Sequence, residues 1–452
     1  MKKVISKYIS GYSILKDNPR DYWIVQLVNF LESMSYFAMM AVLVIFLSDT
    51  IGWNDIHAGY IVTAFSLTVG ILLPVSGFII DYLGIRKSML LALVILTTAR
   101  ILIVVFGLFD ALIYREWFVV IALIIVAVGM SIMLPCFQAA NRRFSSVRSQ
   151  SASFGLWYLV MNLGGIPAGF LVDYIRLNLG LDSSYIFVLG AILALTATIT
   201  TSLLIRKIPI IKKSNNNENT IGHDGIIQGV ISVVSETAFK KLMVLVIILL
   251  GVRSIVMYLV LLFPKYWIRL IGEKAEIGFL QSVNYTLVVI GLILIIPITS
   301  RFKLFNMLIF GALISAMSLL MLVIPYQYFS DNISTAYFYM SVCMLVLFAL
   351  GEVVWSPKLN EYTAAIAPKG QEGSYFGLSM VPWFLAKLVV GILSGHLLLR
   401  YVPENVSELV ASGNLSFWDS PQWMFAMLFF AAVIGPAIAY FYKDWFTVEL
   451  RQ

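Results

Sequence analysis

Charge is scarce in this chain. Of its 452 residues, 12% are Asp, Glu, Lys or Arg, against 60% hydrophobic residues and a mean hydropathy of +0.91. A soluble domain needs far more polar surface to cover its core, so the shortage points to an integral membrane protein. Cysteine is nearly absent too: Cys136 and Cys343 both lie in apolar runs. Isolated thiols give no disulfide framework and no metal-ligand spacing, so neither metal nor cofactor is expected. Catalytic signatures are missing as well. There is no Walker loop for ATP, no Gly-x-Ser-x-Gly elbow and no His-Glu-x-x-His motif. The segment 1–23 lacks the apolar core and small-residue cleavage site of a signal peptide, and no cleaved leader is expected.

What the chain has is long apolar runs. Six fall at roughly 22–48, 57–80, 88–108, 116–137, 153–174 and 184–205, and six more at roughly 239–263, 276–298, 304–325, 335–357, 373–398 and 421–442. Each is long enough to cross about 30 Å of hydrocarbon. Twelve spans put both termini on one side of a bilayer. With that side cytoplasmic, twenty-two of the 31 Lys and Arg lie in inner loops and ends, six in outer loops and three inside spans. The positive-inside rule then places both termini in the cytoplasm and the protein in the plasma (bacterial inner) membrane. The net charge of +7 follows from this bias and is no nucleic-acid footprint.

The spans divide into halves that repeat. Gly129 and Pro135 return 222 residues later as Gly351 and Pro357, "SFGL" at 153–156 returns as "YFGL" at 375–378, and Gly169 returns as Gly391. We read a first six-helix bundle over 1–205, a cytoplasmic linker over 206–238 and a second bundle over 239–452. The linker has an Asn-rich polar centre, and its second part suits an amphipathic surface helix. After span 2 comes "GFIIDYLGIRKSMLL". Its Gly77, Asp81, Gly84, Arg86 and Lys87 match the loop signature Gly-x-x-x-Asp-x-x-Gly-x-Arg-Arg/Lys, which resembles that of the major facilitator superfamily. That resemblance implies an all-α fold of twelve transmembrane helices in two six-helix bundles, with solute bound near the midplane between them. Asp81 is then expected to pair across the cytoplasmic gate or to face helix N-termini.

Five ionisable side chains sit inside spans: Glu32, Arg100, Arg253, Glu352 and Lys387. Glu32 begins about ten residues into its run, so helical rise sets it roughly 15 Å deep. Each such group costs a few kcal/mol to insert and belongs in a cavity or against a partner. Buried ion pairs that merely hold helices together are one reading. Three bases against two acids leave one base over, however, and an unpaired base suits an anionic substrate group or a titrating site.

Further motifs resemble those of the proton-coupled oligopeptide transporters. "NFLESMSYFAM" keeps Glu32, Tyr36 and Phe37 of that family's first-helix motif. "WYLVMNLG" keeps Tyr158, Asn162 and Gly164, and "LQSVNYTLVVIGLILIIP" keeps Gln281, Ser282, Asn284 and Pro297. "GEVVWSPKLNEYTAAIAPKG" keeps Gly351, Glu352, Ser356, Pro357, Ala367 and Pro368. The departures are Ser33 for the motif arginine, Asn29 for its first glutamate, and Leu134 where span 4 has a lysine. The resemblance implies that Asn162, Asn284 and Glu352 hold an ammonium group while the carboxylate pole is lost or rebuilt. Arg100 and Lys387 are then the candidates for any anionic group, with Tyr36 and Tyr158 lining the pocket. Family members pair a span 1 arginine with a span 7 acid. Here the signs are exchanged, and we expect Glu32 and Arg253 to latch the outer gate and to couple a proton to its opening. A static pair is the plainer alternative.

Trp157, Trp355 and Trp383 are further candidates for the cavity wall. Pro135 and Pro357 are expected to kink spans 4 and 10, and "GGIPAG" at 164–169 to pack helices closely. No role follows for His57, His223 or His396. The expectation is a secondary transporter, functional as a monomer in a lipid bilayer, whose partners are a small polar, amine-bearing solute and protons. A short peptide or amino-acid derivative carried by proton symport leads. A proton-coupled exporter of a drug, siderophore or other metabolite is the alternative, and a membrane enzyme, scramblase or channel stands behind both.

Overall fold

The structure, a computed structural model, describes residues 14–109, 113–145, 149–205, 235–299, 303–366 and 381–447. The described residues contain helices and no strand. In hydrocarbon every backbone donor and acceptor must be satisfied within the chain, and a continuous apolar run does so as a helix. The first half comprises α1 (Arg20–Ile45), α2 (Asp55–Leu83), α3 (Ile85–Leu108), α4 (Arg115–Phe144), α5 (Gln150–Asp173) and α6 (Ser184–Leu204). Polar side chains set several starts. Asn54 accepts the backbone N–H of His57 at 2.8 Å to cap α2, and Ser420 does the same for Trp423 at 3.3 Å before the helix that starts at Pro421. Gly84 separates α2 from α3 at φ +77°, a backbone that favours glycine.

The second half opens differently from the expected single span. Residues 237–271 form three pieces: α7 (Thr237–Ile248), α8 (Leu250–Leu261) and α9 (Phe263–Ile271). α7 and α8 are bent by 51° at Leu249. Just beyond the bend Gly251 lies so close to Ala431 and Ala432 that a side chain there would strike their backbone. Then follow α10 (Ile277–Thr299), α11 (Leu304–Met317), α12 (Ile333–Ile366), α13 (Val381–Tyr401), α14 (Val406–Ala411), α15 (Pro421–Phe441) and α16 (Lys443–Thr447). Span 9 thus ends as α11 at Met317 and continues as a 3₁₀ turn to Leu322, whereas α12 outruns its expected end at 357 by nine residues. Ten described helices are long and apolar enough to cross a membrane, and the bent α7–α8 pair makes an eleventh. α13 occupies the remaining place of a twelve-helix, multi-pass membrane protein. Most of the linker (206–234, with His223), the repeat "YFGL" at 375–378 and the motif end Ala367–Pro368 lie outside the described residues.

Packing repeats with the sequence. α1 contacts α5 and α6, α2 contacts α4, and α3 contacts α4 and α6; α8 contacts α13 and α15, α10 contacts α12, and α11 contacts α12 and α15. Each list is the other moved on by six spans. The halves meet chiefly through α5 on α10 and α13 on α2. Both seams rest on the repeated glycine. A Cβ on Gly169 of α5 would strike Gly278 O and Ser282 Oγ of α10, and one on Gly391 of α13 would strike Thr63 Oγ1 of α2 and come 3.2 Å from Gly59 O. Only glycine lets the backbones approach this closely.

Candidate functional site

Four of the five ionisable residues read from the spans need a new assignment or a qualification. Glu32 of α1 does not pair with Arg253. Its carboxylate receives both arms of Arg100 from α3, Nη1 to Oε2 at 2.9 Å and Nη2 to Oε1 at 2.5 Å. Both side chains are fully inside the protein, at 2% and 1% exposure. The pair closes within the first half because α1 and α3 both pack on α6. Gly190 of α6 leaves room for Arg100, and its carbonyl accepts the hydroxyl of Ser35 at 3.0 Å. Arg100 is therefore sequestered by a carboxylate and does not stand open to an anionic solute. Lys387 of α13 is buried and already engaged.

Arg253 has no acid. It lies on α8 one turn beyond the bend, with its guanidinium carbon 5.8 Å from the ring centre of Trp355 on α12. Its Nε is buried without a hydrogen-bond partner. Among the described residues Glu352 of α12 has no base either; it accepts a hydrogen bond from Asn284 Nδ2 of α10, at 3.4 Å from Oε2. Between them comes Tyr158 of α5, beside Ser356 and Asn162 and within electrostatic reach of both Glu352 and Arg253. Asn162 spends its amide on its own helix, donating to the carbonyl of Tyr158 at 2.9 Å. Tyr36 of α1 packs edge-on to Phe37, which packs in turn on Tyr285 of α10 with ring centres 4.7 Å apart. Gln281 Nε2, Asn284 Oδ1 and Trp157 Nε1 are buried without partners in the same region. A cavity of about 30 Å³ beside them is lined by Val256, Leu259, Val260, Gln281, Asn284, Tyr285 and Leu345. Buried polar groups left open in this number mark a place for a polar ligand or water. Of the candidate wall residues, Trp355 is spent on the second half, donating its indole N–H to Ser315 Oγ at 3.1 Å; the side chain of Trp383 is outside the described set.

A second cluster was not read from the sequence. At the end of the bundle away from the termini, here the distal end, charged side chains join the halves. Lys265 of α9 pairs with Asp49 and lies 4.0 Å from Asp55, whose other oxygen receives Arg269 Nη2 at 2.6 Å. Asp173, the last residue of α5, accepts the backbone N–H groups of Gly278 and Phe279 at 2.9 and 2.6 Å, capping the start of α10 from the opposite half. The capped end of a helix favours a carboxylate through its free donors and its dipole. On the neighbouring seam Tyr60 OH meets His396 Nε2 at 3.2 Å, and His57 stands edge-on to Trp53, so two of the three histidines do have partners. The signal was available: acids end spans of the first half while Lys265 and Arg269 follow span 7, but opposite charges in separate loops carry no distance.

The loop motif does local work where it is described. Arg86 donates from Nε to Ile205 O at 2.9 Å and from Nη2 to Ser202 O at 2.7 Å, satisfying the last carbonyls of α6. Lys87 is exposed, and the side chains around Gly77 and Asp81 are outside the described set.

Comparison with known proteins agrees with this architecture. Residues 25–391 match the Major Facilitator Superfamily. Multidrug resistance protein MdtH of Aeromonas hydrophila subsp. hydrophila is 23% identical over 380 residues, covering 83% of this chain and 85% of MdtH. A melibiose permease of Enterobacter cloacae is 43% identical over 79 residues, but the chain spans only 17% of that permease's length. Among solved structures, a POT family transporter in complex with 5-aminolevulinic acid superposes with a TM-score of 0.73 at 16% identity, over 95% of this chain and 97% of that one. A D-xylose-proton symporter does so with 0.72 at 14%, over 93% and 96%. These likenesses share a fold across unlike solutes. With four-fifths of its length on the family pattern and its six-plus-six packing repeated, the chain belongs to the major facilitator superfamily of membrane transporters.

Proposed function

We propose that the protein is a secondary active transporter of a small, polar, amine-bearing solute, moved by alternating access with proton symport. One observation carries the reading: Glu352 is a carboxylate in the interior between the halves, touched by Asn284 and by no base among the described residues. A carboxylate so placed attracts a cation, either a proton or the ammonium of a solute. Exchange between the two at one group is a simple form of coupling. Tyr158, with Asn162 beside it, is within electrostatic reach of Glu352, Tyr36 is proposed to line the same pocket, and short peptides and amino-acid derivatives lead as solutes. The charge bias supports cytoplasmic termini in a plasma membrane, which makes the distal end the outer one and this conformation closed to the outside. The two bundles, 1–205 and 239–452, would rock about the seams. A single chain holds every group the reading needs.

The test is uptake of labelled di- and tripeptides into proteoliposomes, with and without an inward proton gradient. Accumulation should require the gradient and fall to background in Glu352→Gln. Absence of uptake for every peptide, by protein shown to be folded, would remove peptides from the reading. The length of the match to MdtH favours a second reading, proton-coupled export of a cationic drug or metabolite. Inverted vesicles that accumulate such a compound in exchange for protons would select it.

A further inference from the structure

We propose that Arg253 is the anion-binding residue of the central site, so that the solute carries an oxyanion as well as a cationic group. The claim about Arg253 stands on its own surroundings; only its pairing with a cationic group rests on the reading of Glu352 given above. A guanidinium stays protonated in proteins and cannot escape burial by losing its charge. Arg253 is half-buried, and a charge so placed without a partner is held at a cost. Among the described residues Arg253 makes neither hydrogen bond nor ion pair, and its Nε is closed off from solvent. Its guanidinium lies over the face of Trp355, an arrangement that leaves the in-plane N–H donors without partners among the described residues. The other two bases buried in span interiors are spoken for, Arg100 by Glu32 and Lys387 by contacts of its own. The leftover base foreseen from the count of charges is therefore Arg253.

Its location gives the inference content. Trp355, under the guanidinium, follows Glu352 by three residues on α12, about 4.5 Å of helical rise. Tyr158 is within electrostatic reach of both charges. An open acid and an open base thus border one region, and both belong to the second half. The planar fork of arginine matches a carboxylate with two parallel hydrogen bonds. The first half contributes neutral side chains, Tyr158, Asn162 and Tyr36, and its own charges cancel. A site of this kind takes a solute with separate positive and negative groups and fixes both ends on one bundle. The oxyanion could instead be a free inorganic ion carried along, and the experiment separates the two.

Purified full-length protein in detergent would be titrated with four probes while its unfolding temperature is followed. These are alanylalanine, its C-terminal amide, its N-acetyl derivative and sodium sulfate. In the wild type the free dipeptide should act at about ten- to hundredfold lower concentration than the amide, the range expected for one charge-assisted fork. Arg253→Gln should bring the dipeptide to the level of the amide without changing the amide itself. Arg253→Lys, which keeps charge without the fork, should recover part of the difference and shows that loss in the glutamine variant is not misfolding. A preference for dipeptide over amide that survives Arg253→Gln overturns the proposal. Stabilisation by sulfate alone, dependent on Arg253 and with dipeptide and amide equal, supports the anion site and overturns its assignment to the solute. Stabilisation by sulfate and the N-acetyl derivative, dependent on Arg253, with neither amine-bearing probe better, leaves Arg253 standing while the amine reading of Glu352 fails. No Arg253-dependent effect from any probe overturns the proposal.

Discussion

Glu32 and Arg100 neutralise each other with two hydrogen bonds, deep in the first half and away from its seam with the second. Removing one partner leaves a bare charge, whereas removing both leaves only a polar hole, so the two losses differ in kind. Glu32→Gln or Arg100→Gln alone should destabilise by about 3–5 kcal/mol, and the double variant should regain a good part of it. Unfolding temperatures in detergent decide this; singles as stable as wild type would mean that the pair is not formed. Asp182 offers a test at a loop. Its burial works to raise its pKa, but hydrogen bonds from Ser184 and Thr50 outweigh it and hold the carboxyl below its usual range. A depressed carboxyl stabilises fully above its unfolded pKa and loses that stabilisation as pH falls through its folded pKa. Asp182→Asn should accordingly lower the unfolding temperature at pH 7, and the gap from wild type should close in acid. That Glu32 is an ionisable group inside an apolar helix was legible from the sequence, and Glu352 beside Asn284 was implied by the resemblance to the oligopeptide transporters. The partner of Glu32 was not, because a charge count along a chain says nothing about which helices are neighbours.

Among the elements, Asp49 in the turn after α1 and the distal ends of α2 and α5 supply acids to bases on α9 and to the open start of α10. Charge-assisted bonds of this kind contribute about 1.5–3 kcal/mol each, and they exist only while the halves are together at that end. Asp173→Asn keeps the size of the side chain and removes its charge. It should shift the population toward the distally open form, read as faster labelling of a single cysteine placed at Gln281 by a membrane-impermeant reagent from the distal side. Unchanged labelling would mean that the glycine seam alone sets closure. The runs of apolar residues made eleven of the helix positions legible, and the tight packing of "GGIPAG" against α1 and α10 as well. The bend at Leu249 was hidden, since α7 and α8 together read as one apolar span and contain no proline. Just beyond the bend Gly251 packs against Ala431 and Ala432, a tertiary contact that the run of residues does not reveal.

At the scale of the molecule, the offset of 222 residues turns out to be a statement about contacts. Gly169 and Gly391 each bring their helix against the opposite half, and α5 on α10 repeats as α13 on α2. A duplication visible in four short matches thus fixes twelve helices in two bundles and both seams between them. It could not fix the central site, because there the halves differ: open charge lies on the second, closed charge on the first. Symmetry predicts scaffold, and function sits where symmetry is broken.

That imbalance has an electrical consequence. A charge moving through the full membrane potential exchanges about 2.3 kcal/mol per 100 mV. The first half, whose described span-interior charges cancel within one hydrogen-bonded pair, can tilt in that field as a neutral body. On the proposed cycle, any current arising from the span interiors would come from the cargo, from protons, or from groups riding on the second half. Among the described span-interior charges, those left open to the voltage are on the second bundle.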